Sequence, residues 1–146
     1  KEDDIWDLTK IPIRLRASPA NAVSSINFTK IEQPDIRNEI KECCLYRLKR
    51  MALNTVTMEL SAVNFLSKFL SEYFPEITSL KSMKRELLEE YLSYLYLESK
   101  RKKEYRSELY HLKTVFNTIG RLFSYDNLRG IFLKSDFEKR KHTKRS

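Results

Sequence analysis

One stretch in the second half of the chain has a pattern that only a helix accommodates. Six of its apolar residues recur at steps of four, three, four, three and four: Tyr105, Leu109, Leu112, Phe116, Ile119 and Phe123. Because an α-helix completes a turn in 3.6 residues, this spacing places all six on one side. The other side is polar and cationic, with Lys103, Ser107, Tyr110, Thr114 and Arg121 at its centre and Arg106, Lys113 and Asn117 on its flank. The stretch 100–123 therefore predicts an amphipathic helix with one face to bury and one to expose.

The rest of the chain also fits an all-α fold. Only two glycines and four prolines occur among its 146 residues, too few for the many tight turns of a sheet-rich protein. A hydrophobic content of 41% is sufficient for a core. We therefore expect a bundle of four to five helices over residues 34–133. An extended segment at 1–33 comes before it, and a basic linker at 134–146 comes after it.

Local signals predict where these helices begin and end. Pro34 suits the first turn of a helix, and Pro75 ends the next one. Asn54 and Ser82 are predicted as the N-caps of the second and third helices. Gly120 is expected to weaken or bend the last helix near its end.

The first 33 residues contain two short stretches in which apolar and polar residues alternate, at 11–15 and 26–31. Alternation with a period of two predicts extended segments, here joined by a loop as in a hairpin. Trp6 lies outside both stretches, and we expect it to pack onto the helical body.

The charge of the chain favours an anionic partner without deciding its nature. The net charge is +8, and residues 134–146 supply +4 of it, with six Lys or Arg against two Asp or Glu. Such a balance is typical of proteins that bind polyanions, but ordinary proteins also have it. Clustering of the cations is therefore more informative than their total.

No catalytic site, metal site or cofactor is predicted. His111 and His142 have no cysteine or carboxylate at a metal-ligand spacing, and the adjacent Cys43 and Cys44 are expected to be reduced thiols on a helix. Two glycines cannot make a glycine-rich phosphate loop. No apolar run approaches the roughly 18–20 residues of a membrane span, so we expect no membrane partner.

The cationic clusters are the remaining functional signal. Four consecutive basic residues, Lys100, Arg101, Lys102 and Lys103, lead directly into the amphipathic helix. A loop of this kind can bind phosphates while the first turns of the helix approach the bases. The candidate contacts from those turns are Arg106, Ser107, Tyr110, Lys113 and Thr114. The alternative is a solubilising loop on a lysine-rich protein.

The order of the motifs resembles one known family. A helix with Thr57 and spaced aromatic residues ends in Phe69-Leu70, and a second motif runs from Ile77 through Tyr91, Leu92 and Leu95. A third has Leu109, Leu112, Lys113, Phe116 and Ile119, and a basic linker comes after it. This succession resembles the SAM-like core-binding domain of tyrosine recombinases, the phage-integrase family. The opening segment, with Trp6-Asp7-Leu8 and 26–31, is similar to integrases of bacterial transposons and other mobile elements.

The resemblance implies a fold and a function. The fold would be an orthogonal SAM-like bundle, and the chain would form half of a clamp around duplex DNA at a crossover site. The contacts it implies include Thr55 and Thr57 and, in the linker, Lys139, Arg140 and Lys141. The family's catalytic Arg, Lys, His and Tyr would lie in a further domain, so this chain would not itself be an enzyme. Other recombinase protomers would be partners, and the location would be the bacterial cytoplasm, associated with the nucleoid.

Three details bear on the resemblance. His142 and Arg145 have a spacing that the family uses catalytically, but they stand in a polar tail just past the core-binding domain and are interpreted as linker. Glu138 replaces a proline that is common before the linker. The lysine-rich loop 100–103 replaces a capping threonine. These departures concern the details of DNA contact.

The chain begins with Lys rather than Met, so we expect it to belong to a larger protein.

Two other functions stay open. A helical protein-interaction module with a basic solubilising surface would account for the same composition. RNA binding is the weaker alternative, because the sequence has no aromatic stacking platform of the usual kinds.

Overall fold

The computed structural model describes residues 4–7, 25–99 and 106–137. Within these ranges the chain forms four α-helices: α1 Pro34–Leu48, α2 Leu53–Tyr73, α3 Arg85–Ser99 and α4 Arg106–Leu122. Strands β1 Ile5–Asp7 and β2 Ser25–Asn27 pair antiparallel, and short 3-10 turns occur at Leu80–Ser82, Asp126–Leu128 and Lys134–Phe137. The predicted all-α bundle with a hairpin-like segment before it is confirmed.

The two-stranded sheet is attached to the core by its inward-facing residues. Trp6 and Ile26 are paired across the strands and both are buried. The Trp6 ring meets Phe28 edge-on with centroids 4.7 Å apart. Trp6 also belongs to the same buried cluster as the side chains of the helices, which confirms the prediction that it packs onto the helical body. Only part of the strand prediction is confirmed: β2 overlaps the predicted segment 26–31, whereas 11–15 lies outside the described residues and the partner strand is β1.

An ion-pair group fixes the start of the sheet to α1. The Asp4 carboxylate accepts a hydrogen bond from Lys41 Nζ at 2.8 Å and another from Arg37 Nη1 at 3.3 Å. Arg37 also donates to the carbonyl oxygen of Ile31. These contacts join the two ends of the hairpin segment to one face of α1.

Helix α4 has the predicted orientation. Leu109, Leu112, Phe116 and Ile119 are each no more than 1% exposed, and the helix packs against both α1 and α2. At the ends of the predicted stripe, Phe123 is half-buried and Tyr105 lies outside the described residues. The amphipathic pattern therefore identified the helix that lies at the centre of the core.

The helix boundaries predicted from Pro34 and Pro75 are correct, whereas the predicted N-cap residues are wrong. Pro34 is the first residue of α1, and α2 ends at Tyr73, two residues before Pro75. Asn54, however, lies inside α2, because the buried Leu53 already belongs to the helix and Ala52 occupies the N-cap.

Ser82 was also predicted wrongly as an N-cap. It closes a 3-10 turn whose own cap is Ser79, the hydroxyl oxygen of which accepts a hydrogen bond from the Lys81 N–H. Leu80 and Met83 are fully buried in this segment. Burying both requires a separate turn before α3, which therefore begins three residues later, at Arg85.

Gly120 lies where the chain returns to α4, and the expected weakening or bending of the helix stays a prediction. It lies within α4, which continues to Leu122. A Cβ atom at this position would approach the Tyr125 carbonyl oxygen to 3.4 Å and Leu128 Cβ to 3.5 Å. The chain turns back at Ser124, where φ is 57°, and the Tyr125 N–H donates to the Gly120 carbonyl oxygen. The chain therefore returns close to Gly120, at distances where an added Cβ atom would make ordinary van der Waals contact.

A buried carboxylate connects α1 to two distant turns. Glu39 is 4% exposed, and it accepts hydrogen bonds from the Ser79 hydroxyl, from the Leu80 N–H at 2.9 Å and from the Tyr125 hydroxyl at 2.8 Å. These three donors compensate the carboxylate for its burial. Glu39 therefore holds the turn before α3 and the turn after α4 on the same helix.

The two cysteines provide a test of core integrity. Cys43 and Cys44 are free and buried in α1. Burial raises the pKa of Cys43 to about 12 and also raises the pKa of Cys44. Because the thiolate is the reactive form, we expect both thiols to react with a thiol reagent at pH 8 no faster than the protein unfolds. The measurement is the labelling rate with and without urea, with free cysteine as the control. Rapid labelling without urea would contradict the buried placement.

Candidate nucleic-acid interface

The outer face of α4 carries the central part of the predicted contact set. Ser107, Tyr110 and Lys113 are exposed, and Thr114 is half-buried with its hydroxyl donating to the Tyr110 carbonyl oxygen at 3.1 Å. Ser107, Tyr110 and Thr114 lie on the side opposite the buried stripe, and Lys113 lies on the flank of that side. The fold therefore presents these four residues together. The side chain of Arg106 lies outside the described part of the structure.

The chain returns to this face after α4. Phe137 stacks on the Tyr110 ring, with centroids 4.4 Å apart and planes 24° from parallel. Lys113 Nζ lies 5.2 Å from the centre of the Phe137 ring, within the range of a cation–π contact. Tyr110 keeps half of its surface exposed, whereas Phe137 is buried. The end of the described residues 134–137, which open the predicted linker 134–146, thus lies against the proposed contact face.

A partly buried ion pair holds the same segment to α3. Arg85 donates from Nη1 to Asp136 Oδ2 at 2.7 Å and from Nη2 to Oδ1 at 2.9 Å, and Nη1 also donates to the Ile131 carbonyl oxygen. The Leu133 N–H donates to Asp136 Oδ2 at 2.7 Å. We call this arrangement of Arg85, Asp136, Phe137 and Tyr110 the 131–137 clasp.

The electrostatics of Asp136 agree with its geometry. Its side chain is only 5% exposed. Burial alone would raise its pKa, but the hydrogen bonds from Arg85 and from the Leu133 N–H outweigh this effect and lower the pKa below the ordinary value. Asp136 is therefore ionised and paired at neutral pH.

Thr55 and Thr57 lie in another part of the fold. Both are in the first turns of α2, and the Thr57 hydroxyl donates to the Asn54 carbonyl oxygen at 2.8 Å. At the other end of α2, Phe69 packs against Tyr91 with ring centroids 5.0 Å apart. Burial raises the pKa of Tyr91, and the charge of Glu108 in the first turn of α4 adds to this shift. Thr55 precedes Phe69 by fourteen positions, which is about 21 Å along a helix axis. The two threonines therefore lie at the opposite end of α2 from the contact between Phe69 and Tyr91.

The most cationic predicted contacts lie outside the described residues. These are Lys100, Arg101, Lys102 and Lys103 in the loop and Lys139, Arg140 and Lys141 in the linker. The described ranges contain 15 Lys or Arg and 16 Asp or Glu, a net charge of −1. The other ranges contain 13 basic and 4 acidic residues, a net charge of +9, which gives the total of +8. The positive excess therefore belongs entirely to the segments that flank and interrupt the described body.

A groove with two lysines lies beside α2. Lys30 and Lys68 line this open groove of about 440 Å³ together with Glu32, Phe65 and Asn64. Phe65 is 46% exposed, and the Asn64 side-chain oxygen is buried without a hydrogen-bond partner. None of the predicted DNA contacts lies in this groove.

Other kinds of site are not evident in the part of the chain that the structure describes. It holds no group of three or more His, Cys, Asp or Glu residues arranged to bind a metal ion. None of its helices combines the length and apolar character needed to cross a membrane.

Sequence reasoning missed Arg85, Asp136 and Phe137 as residues that shape this face. No local signal marks Arg85 as a partner of Asp136, which is 51 residues away from it. The one available signal was Phe137, because no apolar residue comes after it in the chain. An isolated aromatic residue before a polar tail is a candidate anchor.

Comparison of the chain with protein-family models, curated proteins and solved structures finds no match.

The ion pair of the clasp makes stability depend on pH in a defined direction. Because the pKa of Asp136 is lowered, its contribution is present above its ordinary value near 3.8 and is lost as the pH falls through the folded-state value. We expect Asp136→Asn to lower the free energy of unfolding at pH 7 by about 1–3 kcal/mol, with a smaller difference from the unsubstituted protein at pH 3. Urea unfolding at both pH values measures this.

The matched control for this prediction is Asp126→Asn. Asp126 is 91% exposed and lies 3.8 Å from Arg129 in a surface pair, which is expected to contribute little. Equal losses from the two substitutions at pH 7 would contradict a specific contribution from the clasp.

Proposed function

We propose that this chain is the DNA-binding part of a site-specific tyrosine recombinase and holds duplex DNA while the reaction takes place in another domain. The observation that supports the proposal is that the described residues bordering the two cationic segments, Arg106 and Phe137, both lie at the start of α4. The loop 100–105 leads directly into Arg106, the first residue of α4. Residue 138 comes directly after Phe137, which stacks on Tyr110, one helical turn beyond Arg106. The described residues that border the two cationic segments are therefore close together, at the first turns of α4.

The charges suggest different roles for the described body and for the two basic segments. With a net charge of −1 over the described ranges, the body contributes little long-range attraction for a polyanion. The loop and the linker supply the lysines and arginines that neutralise phosphates. Ser107, Tyr110, Lys113 and Thr114 then contact the sugar–phosphate backbone or the base edges from a fixed helix. In this mechanism the segments provide affinity and the helix provides orientation.

The remaining parts of the proposal rest on the resemblance of the motif order. The partners are duplex DNA and other protomers of the same recombinase, and the location is the bacterial cytoplasm, in association with the nucleoid. The catalytic residues belong to a further domain of the protein, and this part has a binding role alone.

The loop provides the direct test of this proposal. Replacement of Lys100, Arg101, Lys102 and Lys103 by alanine removes up to four phosphate contacts. Since each contact contributes roughly 0.9 to the slope of log affinity against log salt, we expect the slope to fall by about two to four. Fluorescence anisotropy with a labelled duplex over a range of salt concentrations measures the slope.

A charge-matched variant separates placement from net charge. Lys30, Lys49, Lys68 and Lys81 are all exposed and none lies on α4. Their replacement by alanine removes the same number of charges, and we expect a much smaller change in slope. An equal change in both variants, or an unchanged slope in the loop variant, would refute the proposed role of the loop.

A protein-interaction module is the second candidate, and the exposed apolar side chains favour it. Met58 and Phe65 on α2 are 47% and 46% exposed, and Tyr73 and Leu97 are more exposed still. This function predicts no binding to any duplex at near-physiological salt.

Competition between duplex DNA and RNA in the same anisotropy assay distinguishes the weaker RNA-binding alternative.

A further inference from the structure

We propose that one exposed face of α2 is an interface through which two copies of this chain pair antiparallel about a two-fold axis. The face consists of exposed residues that recur at steps of four, three, four, three and four: Asn54, Met58, Ser61, Phe65, Lys68 and Glu72. We call it the α2 face. The inference does not rest on the proposed DNA-binding function, because this surface contains none of the predicted DNA contacts.

The first four turns of α2 expose no charge. Residues 53–67 contain one charged residue, Glu59, and its side chain is 4% exposed and paired with Arg47. The exposed positions of α3, by contrast, include three glutamates, Glu86, Glu89 and Glu90. Charged residues make up 33% of the whole chain, so an exposed helix face of this length without charge is unusual for it. Depletion of charge is typical of the centre of a protein interface.

Two large apolar side chains lie on this uncharged part. Met58 is 47% exposed and Phe65 is 46% exposed. They are seven residues apart, on the same side of the helix and about 10 Å from each other along its axis. Ser61 lies between them. Because the distance between packed helices depends on the side chains at the contact, a small residue at this point allows a second helix to approach closely while the two large side chains pack on either side.

The pattern is symmetric, which identifies the partner as a second copy. Met58 and Phe65 lie equally far from the point between Ser61 and Ala62. An antiparallel second α2 centred on that point places Phe65 of each copy opposite Met58 of the other. A two-fold interface requires this self-complementarity, because the same surface meets itself. Lys68 of each copy then lies opposite the uncharged first turn of the other helix, so no like charges face each other.

The size of the surface sets the expected strength of the dimer. The α2 face is roughly 27 Å long and about one helix diameter, 10 Å, wide. An open groove lined by Ser61, Phe65, Lys68, Thr29 and Lys30 widens it on one side. The surface is still smaller than the about 800 Å² per partner of a standard interface. We therefore expect a weak dimer that dissociates on dilution.

Sedimentation equilibrium of the full chain over a range of concentrations, without DNA, measures the dissociation constant. Phe65→Glu places a charge at the apolar centre of the interface, and we expect it to raise this constant about tenfold or more. Leu97→Glu is the matched control, since Leu97 is 61% exposed and lies on α3. It makes the same chemical change outside the α2 face and is expected to leave the constant unchanged. Equal effects of the two substitutions would overturn the inference.

Mixing two variants tests which positions face each other. Met58→Lys and Phe65→Glu are each expected to weaken the dimer when present alone. In an equimolar mixture, the introduced lysine of one variant lies opposite the introduced glutamate of the other, and the second pair of the interface keeps its native side chains. We therefore expect more dimer in the mixture than in either variant by itself. A mixture that forms no more dimer would contradict the proposed pairing.

A disulfide test locates the two-fold axis. Equivalent Ser61 residues are separated by about 1.5 Å along the axis of the pair, so we expect Ser61→Cys to form a disulfide between copies under mild oxidation. The native Cys43 and Cys44 are buried and are not expected to compete. Glu72→Cys is the control for random collision, because equivalent Glu72 residues are roughly 30 Å apart along the axis, too far for a disulfide.

Non-reducing gel electrophoresis measures the disulfide-linked dimer. Equal cross-linking at the two positions, or an unsubstituted protein that stays monomeric at every concentration, overturns the inference. A monomer would leave a different protein as the partner of the α2 face. None of these measurements contains DNA, so their failure leaves the proposed function intact, and a failure to bind duplex DNA leaves the dimer intact.

Discussion

The burial of one side of α4 is the constraint on which the rest of the structure depends. Leu109, Leu112, Phe116 and Ile119 are almost completely removed from solvent between α1 and α2. Full burial of side chains of this size stabilises a fold by roughly 1.5–3 kcal/mol each. Because the four lie on one side of the helix, their burial also fixes its rotation about its own axis. The polar face is therefore oriented by the core, and its placement needs no separate interaction.

Buried carboxylates fix the connections between the helices. Glu39 receives donors from the turn before α3 and from Tyr125 after α4, and Asp136 receives both arms of the Arg85 guanidinium. A buried acceptor with a full set of donors stabilises one arrangement only, since any other leaves it unpaired at a cost of about 1–3 kcal/mol. The apolar stripes hold the helices together, and these carboxylates specify how the turns between them run.

The sequence was sufficient for features that depend on local periodicity. The stripe of α4, the start of α1 at Pro34 and the end of α2 before Pro75 all depend on residues close together in the chain. The clasp and the Glu39 contacts could not be predicted in this way, because Arg85 and Asp136 are 51 residues apart and Glu39 and Tyr125 are 86 apart. The starts of α2 and α3 were missed for a related reason, since tertiary burial of Leu53 and Met83 overrides capping preferences there. Within the candidate site, the helical face was predictable and the segment that packs on it was not.

The distribution of charge bears on the choice between a binding and a solubilising role. Net charge alone does not distinguish them, because both require an excess of lysine and arginine. The attachment of the charged segment does distinguish them. A tail that only improves solubility gains nothing from a fixed origin, since its hydration does not depend on its direction. A tail that neutralises phosphates beside a helix gains affinity from one, because less of its motion is lost on binding. The two anchors at Asp136 and Phe137 fix the chain up to residue 137, and under the proposed DNA-binding function the basic residues after them would gain affinity from that fixed starting point.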